Sequence, residues 1–129
     1  MDATQLKRIR IFEDVPDEDL RVVTTFATSD EVPEGTVMVK EGDFANEFMA
    51  IEEGTAKVTR GGEEIAQLGP GDIFGEVSLL EKDKRAASVE STSRVKLIKI
   101  DRWELARMKK VLPDVFHRIE QLAGERRES

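Results

Sequence analysis

The spacing of apolar positions changes twice along the chain, which divides it into three zones. Residues 1–27 read as helical. Gln5 to Phe12 is short and basic (Lys7, Arg8, Arg10), and Pro16-Asp17-Glu18-Asp19 opens a second helix. Proline suits a first helical turn, and acidic side chains favour the positive end of a helix. Leu20, Val23 and Phe26 would supply its inner face.

Over residues 28–100 the pattern shortens. Val32, Thr36 to Val39, Phe48 to Ile51, Thr55 to Thr59, Ile65 to Leu68, Ser88-Val89 and Val95 to Ile100 are short β-branched or aromatic runs, punctuated by glycine. Strands at this spacing with turn signals between them predict a sandwich or barrel, not a parallel sheet. Gly61-Gly62 marks a hairpin. Helical spacing returns over residues 101–124. Asp101 can cap a helix from Arg102 to Lys110 that packs through Trp103, Leu105 (or Ala106) and Met108. Pro113 interrupts it, and Val115, Phe116, Ile119 and Leu122 form an apolar stripe that ends at Gly124. Glu125 to Ser129 would fray. One α+β domain results, an antiparallel β-roll resembling a double-stranded jelly-roll barrel with helices at both ends.

Charge and composition narrow what such a domain can do. The chain of 129 residues carries a net charge of −7, with no Cys and one His. Residues 1–100 hold 13 basic and 21 acidic groups, a net of −8, whereas residues 101–129 hold 7 and 6. An acidic body is poorly suited to gripping nucleic acid or an anionic membrane through its overall field. Absence of Cys removes disulfides, thiolate metal sites and cysteine nucleophiles. One histidine, His117, argues against a metal cluster or a His-dependent triad; we read it as an exposed or capping residue. No metal, cofactor or catalytic residue is expected. No apolar run reaches the 18 or so residues of a membrane helix, and Met1-Asp2-Ala3 does not open a signal peptide, so the expected location is cytoplasmic.

Chemistry concentrates in residues 71–89. Gly71-Asp72-Ile73-Phe74-Gly75-Glu76 leaves a strand, a short helix could run from Glu76 to Leu80, and Arg85-Ala86-Ala87-Ser88-Val89 follows. Gly75 permits close backbone approach, helix-end amides favour an anion, and Arg85 offers a planar cationic fork. A buried carboxylate beside a buried guanidinium is costly. One ligand with an anion at one end and hydroxyls beside it would give both a role.

Phe74 to Leu80 with Arg85 to Val89 resembles the phosphate-binding cassette of cyclic nucleotide-binding domains. That family includes the regulatory subunits of cAMP-dependent kinase, the cyclic-nucleotide-gated channels and the catabolite activator proteins. Gly35, Glu41-Gly42-Asp43, Glu53-Gly54 and Gly69-Pro70-Gly71-Asp72 extend the likeness over residues 10 to 122. The resemblance implies that Arg85 pairs with the exocyclic phosphate oxygens and Glu76 accepts from the ribose 2′-OH. Amides of Gly75, Val77, Ala86 and Ala87, with Ser78 beside them, would complete the cradle. Val39, Val58, Ile65 and Leu68 would line the base side, with Phe116 and Ile119 on a C-terminal lid helix. Relatives tuned to cGMP often place Thr after the arginine; Ala86 stands there instead, which favours cAMP.

These residues also have plainer readings. Glu76 and Arg85 could form a structural ion pair, Lys7, Arg8 and Arg10 a solvated helix face, and Trp103 core or boundary packing. The 115/116/119/122 stripe could pack on the roll or form a dimer seam. No basic recognition helix is evident, so direct nucleic-acid binding is not expected, and output would pass to a protein effector in trans or in a longer parent chain; Met1 favours a stand-alone sensor. The rival is a degenerate domain that keeps the roll, binds no nucleotide and works through its helices. A cupin-like metalloenzyme would need more histidines.

Overall fold

The computed structural model describes residues 1–76 and 84–128. Helix α1 (Ala3–Leu6) and a 3-10 turn (Arg10–Phe12) precede α2 (Asp17–Val23). Eight strands follow: β1 (Thr28–Val32), β2 (Val37–Val39), β3 (Glu47–Glu53), β4 (Ala56–Arg60), β5 (Glu63–Leu68), β6 (Ile73–Phe74), β7 (Ser88–Ser91) and β8 (Val95–Asp101). Helices α3 (Arg102–Val111) and α4 (Pro113–Glu128) close the described chain.

The strands form two antiparallel four-stranded sheets, ordered β1-β8-β3-β6 and β2-β7-β4-β5. The first sheet is covered on both faces, which explains why β3 reads as a continuous apolar run. Phe48 and Ala50 on β3, Ile73 on β6, and Ile98 and Ile100 on β8 face a core shared with the helices. Met49, Ile51, Phe74, Val95 and Leu97 face the roll interior, where they meet Val39, Ala56 and Val89 from the second sheet. Each face alternates residue by residue along the strand. The predicted β-roll with flanking helices is the fold.

Local chemistry explains most of the element ends. Gly61 and Gly62 both take positive φ, 59° and 85°, in the two-residue turn that joins Arg60 to Glu63. The Asp101 side chain accepts from the Glu104 N–H at 2.9 Å and starts α3. Three expectations need correction. The helix foreseen over Gln5 to Phe12 is broken: Asp2 and Gln5 form a reciprocal cap that starts α1 at Ala3. Ile9 is then extended, and the Arg10 N–H donates to the Gly71 carbonyl at 3.0 Å, not back along a helix. Trp103 is 74% exposed, because the buried face of α3 is carried by Leu105 and Met108. Finally, α4 continues past Gly124 to Glu128, since one glycine costs a helix only about 1 kcal/mol.

The basic N-terminal side chains are exposed but not idle. Lys7 pairs with Asp17 at 2.6 Å, Arg8 with Glu52 at 3.2 Å, and Arg10 with Asp72 at 2.7 Å. Arg10 and the Gly71 contact thus tie the N-terminal turn to the loop that leads into residues 73–76.

Candidate functional site

Arg85 is the centre of the site. It is 7% exposed, and its guanidinium donates from Nη1 to the Gly75 carbonyl at 2.7 Å and from Nη2 to the Glu47 carbonyl. Its backbone is clamped as well. The Arg85 N–H donates to the Asp43 carbonyl at 2.8 Å, and the Arg85 carbonyl accepts from the Gly42 N–H at 2.9 Å. An isolated antiparallel bridge between Phe44 and Lys84 continues this pairing, and Ser88 Oγ accepts from the Glu41 N–H at 2.9 Å. The Glu41-Gly42-Asp43 turn therefore holds the arm that carries Arg85.

Gly75 permits the arrangement. Its φ is +87°, and a Cβ there would lie 2.6 Å from Arg85 Nη1. A substituent would displace the guanidinium. Glu76 is fully buried beside it. Burial pushes the Arg85 guanidinium below its usual pKa, while the Glu47 and Glu76 carboxylates oppose that fall. Even so, an arginine stays cationic at neutral pH. The result is a buried cation and a buried carboxylate next to a glycine backbone, a combination that suits an anion flanked by hydroxyls.

Of the residues foreseen from sequence, Gly75, Glu76 and Arg85 converge here. Ala86 is exposed and Ala87 half-buried at the start of the arm that becomes β7. Val77 and Ser78 lie outside the described residues. Of the residues expected to line a base, Val39 is buried in the roll core, and Val58 and Leu68 pack against that core.

Ile65 does not join them and is 50% exposed. The β4–β5 register shifts between Val58, which pairs with Ala66, and Thr59, which pairs with Glu64. Ile65 is the extra residue of that bulge, and a bulge turns the side chain away from its expected face. Phe116 and Ile119 are not brought to the roll interior either. Both are buried in the helical core with Leu6, Phe12 and Leu20, on the far side of the first sheet from Val39 and Val58. The apolar stripe of α4 is occupied by packing against the N-terminal helices and the outer face of β8 and β3.

Two residues escaped the sequence reading. Glu47 contributes a carbonyl and a carboxylate near Arg85, and no motif marks it. Arg60 donates from Nε to the Ala86 carbonyl at 3.2 Å. Strand alternation from Val58 could have placed it.

The model of the cyclic nucleotide-binding domain matches residues 29–110. The chain belongs to the cyclic nucleotide-binding domain family. It is 33% identical over 113 residues to a cGMP-dependent protein kinase of Toxoplasma gondii, covering 88% of this chain and 11% of that one. It is 35% identical over 94 residues to a cAMP-dependent protein kinase regulatory subunit of Yarrowia lipolytica, covering 71% and 25%. The fold superposes on the catabolite activator protein of Thermus thermophilus with a TM-score of 0.83 at 27% identity, over 92% of this chain and 58% of that one. This cyclic nucleotide-binding domain thus spans a quarter or less of the two curated kinase relatives. Among the described residues, no helix is long and apolar enough to cross a membrane, and no cluster of three His, Asp or Glu could hold a metal ion.

Proposed function

We propose that this cyclic nucleotide-binding domain is a non-enzymatic sensor of a cyclic purine nucleotide, with cAMP favoured by Ala86, and that it passes the signal to a protein effector. The observation that carries the reading is the buried Arg85 guanidinium, seated on the Gly75 and Glu47 carbonyls beside buried Glu76. A cyclic phosphate would take donors that Arg85 now gives to carbonyls, and Glu76 would accept from the ribose. Val39, Val58 and Leu68 would receive the base.

The same seat supports a route for output. Ile73 and Phe74 form β6, and they face opposite cores: Ile73 the helical one and Phe74 the roll interior. A ligand that shifts Gly75 would therefore act on both. Leu122 of α4 borders a groove with Arg10, Ile11, Gly71, Asp72 and Ile73, and Arg118 donates to the Ile11 carbonyl at 3.4 Å. Movement of the C-terminal helix would be the readout, as a shift between two populations.

Titration calorimetry of the Arg85→Leu variant tests the assignment. Binding of cAMP should fall at least about a hundredfold, the scale of a lost charge-assisted bidentate contact, while circular dichroism remains native. A variant that binds as well as the parent would place the phosphate elsewhere. On the parent, cAMP at 100 times its Kd should add roughly 2.7 kcal/mol of stability in a thermal shift assay. No shift with cAMP or cGMP would favour the degenerate interaction domain instead.

A further inference from the structure

Glu47 opens β3, and Met49 and Ile51 on that strand face the roll interior. Strand alternation puts the Glu47 side chain on the same face, at the end where Arg85 sits. The Glu47 carbonyl accepts from Arg85 Nη2, and a Cβ at Gly75 would lie 3.4 Å from that carbonyl oxygen. Lys99 of β8 pairs across the sheet with Met49 and shares the face with Leu97. Its ammonium lies 3.1 Å from Asp30 and 3.9 Å from Glu47, so Asp30 is the closer partner and Glu47 is only partly neutralised. Asp30, Glu47 and Glu76 thus stand against Lys99 and Arg85, while Asp101, across from Glu47, is engaged in the α3 cap. The seat itself does not need the Glu47 carboxylate. Arg85 is held by the backbone carbonyl, which any residue at position 47 supplies, and the side chain adds charge.

We propose that the Glu47 carboxylate sets the affinity of the site by competing with the nucleotide's cyclic phosphate for the Arg85 guanidinium. The inference rests on the nucleotide-binding reading above and adds an affinity determinant to it. A cyclic phosphate entering beside Gly75 brings a further negative charge to a face where acids already outnumber bases. It gains Arg85 against the pull of Glu47, and repulsion between the two anions opposes binding. Glu76 differs, because a ribose hydroxyl would give its carboxylate a donor. The Glu47 effect acts on charge and not on the base, so cAMP and cGMP feel it alike.

Calorimetry on the 129-residue chain with cAMP and cGMP tests this through two shape-matched pairs, the parent with Glu47→Gln and Glu47→Asp with Glu47→Asn. Each amide keeps the shape of its acid and removes the charge. Each should therefore bind both nucleotides about threefold or more tighter than its acid, the scale of one partly screened nearby charge. A loss of packing or of the Lys99 pair would not tighten binding, and the Asp/Asn pair still decides the matter if Glu47→Gln loses its native circular dichroism. Amides that bind no tighter than their acids would overturn the proposal and leave Glu47 a structural partner of Lys99. Equal tightening in Glu47→Asp and Glu47→Asn would also overturn it, because the gain would then follow from side-chain length and not from charge. If the parent and all three variants bind neither nucleotide, the nucleotide-binding reading itself falls, an outcome distinct from a failure of the Glu47 comparison.

Discussion

Gly75 and Arg85 constrain each other. The positive φ of Gly75 strains any larger residue, and the guanidinium occupies the space a Cβ would need. Gly75→Ala should therefore cost of order 1–3 kcal/mol in urea denaturation and also weaken nucleotide binding, since the displaced guanidinium is the one that would meet the phosphate. A variant with parental stability and affinity would show that the seat tolerates a side chain. The residue types at this site were legible from the run Phe74 to Glu76 with Arg85. The company they keep was not. Glu47 comes from the start of β3 and the Asp43 carbonyl from the turn before it, and nothing local in the sequence reports that a backbone carbonyl will face a guanidinium 38 residues away.

At the scale of elements, short-range chemistry was read well where it acted alone. The Gly61-Gly62 turn and the Asp101 cap depend on residues within a few positions, and both occur as foreseen. Asp101→Ala should destabilise the domain by about 0.5–2 kcal/mol, measured by chemical denaturation. A loss near zero would mean that α3 is held by packing alone. Where a distant partner competes for the backbone, the local reading failed. The Arg10 N–H goes to Gly71, which ends the N-terminal helix early. Ile65 was expected on the base side from the family resemblance, and the β4–β5 bulge leaves it half exposed instead.

For the whole molecule, the first sheet separates two cores, and α4 belongs to the helical one. Ile119 is completely buried there with Leu6, Phe12 and Leu20. Ile119→Ala should cost about 2–5 kcal/mol in the absence of any nucleotide. A loss below about 1 kcal/mol would show that α4 is only loosely docked and that its stripe serves another surface. The N-terminal helices, α3 and α4 therefore share one core with Ile73 of β6.

By itself the sequence determined the alternation that makes a roll, the turns and caps that bound its elements, and the cassette with its cation, carboxylate and glycine. These depend on neighbouring residues and on the chemistry of side-chain types. Tertiary structure alone decided which face of each apolar stripe is used. It buried Phe116 and Ile119 across the sheet from Val39 and Val58, left Trp103 in solvent, and brought Arg60 against Ala86. Those outcomes follow from long-range register and from competition between surfaces for burial, and neither is written in any local stretch of the chain.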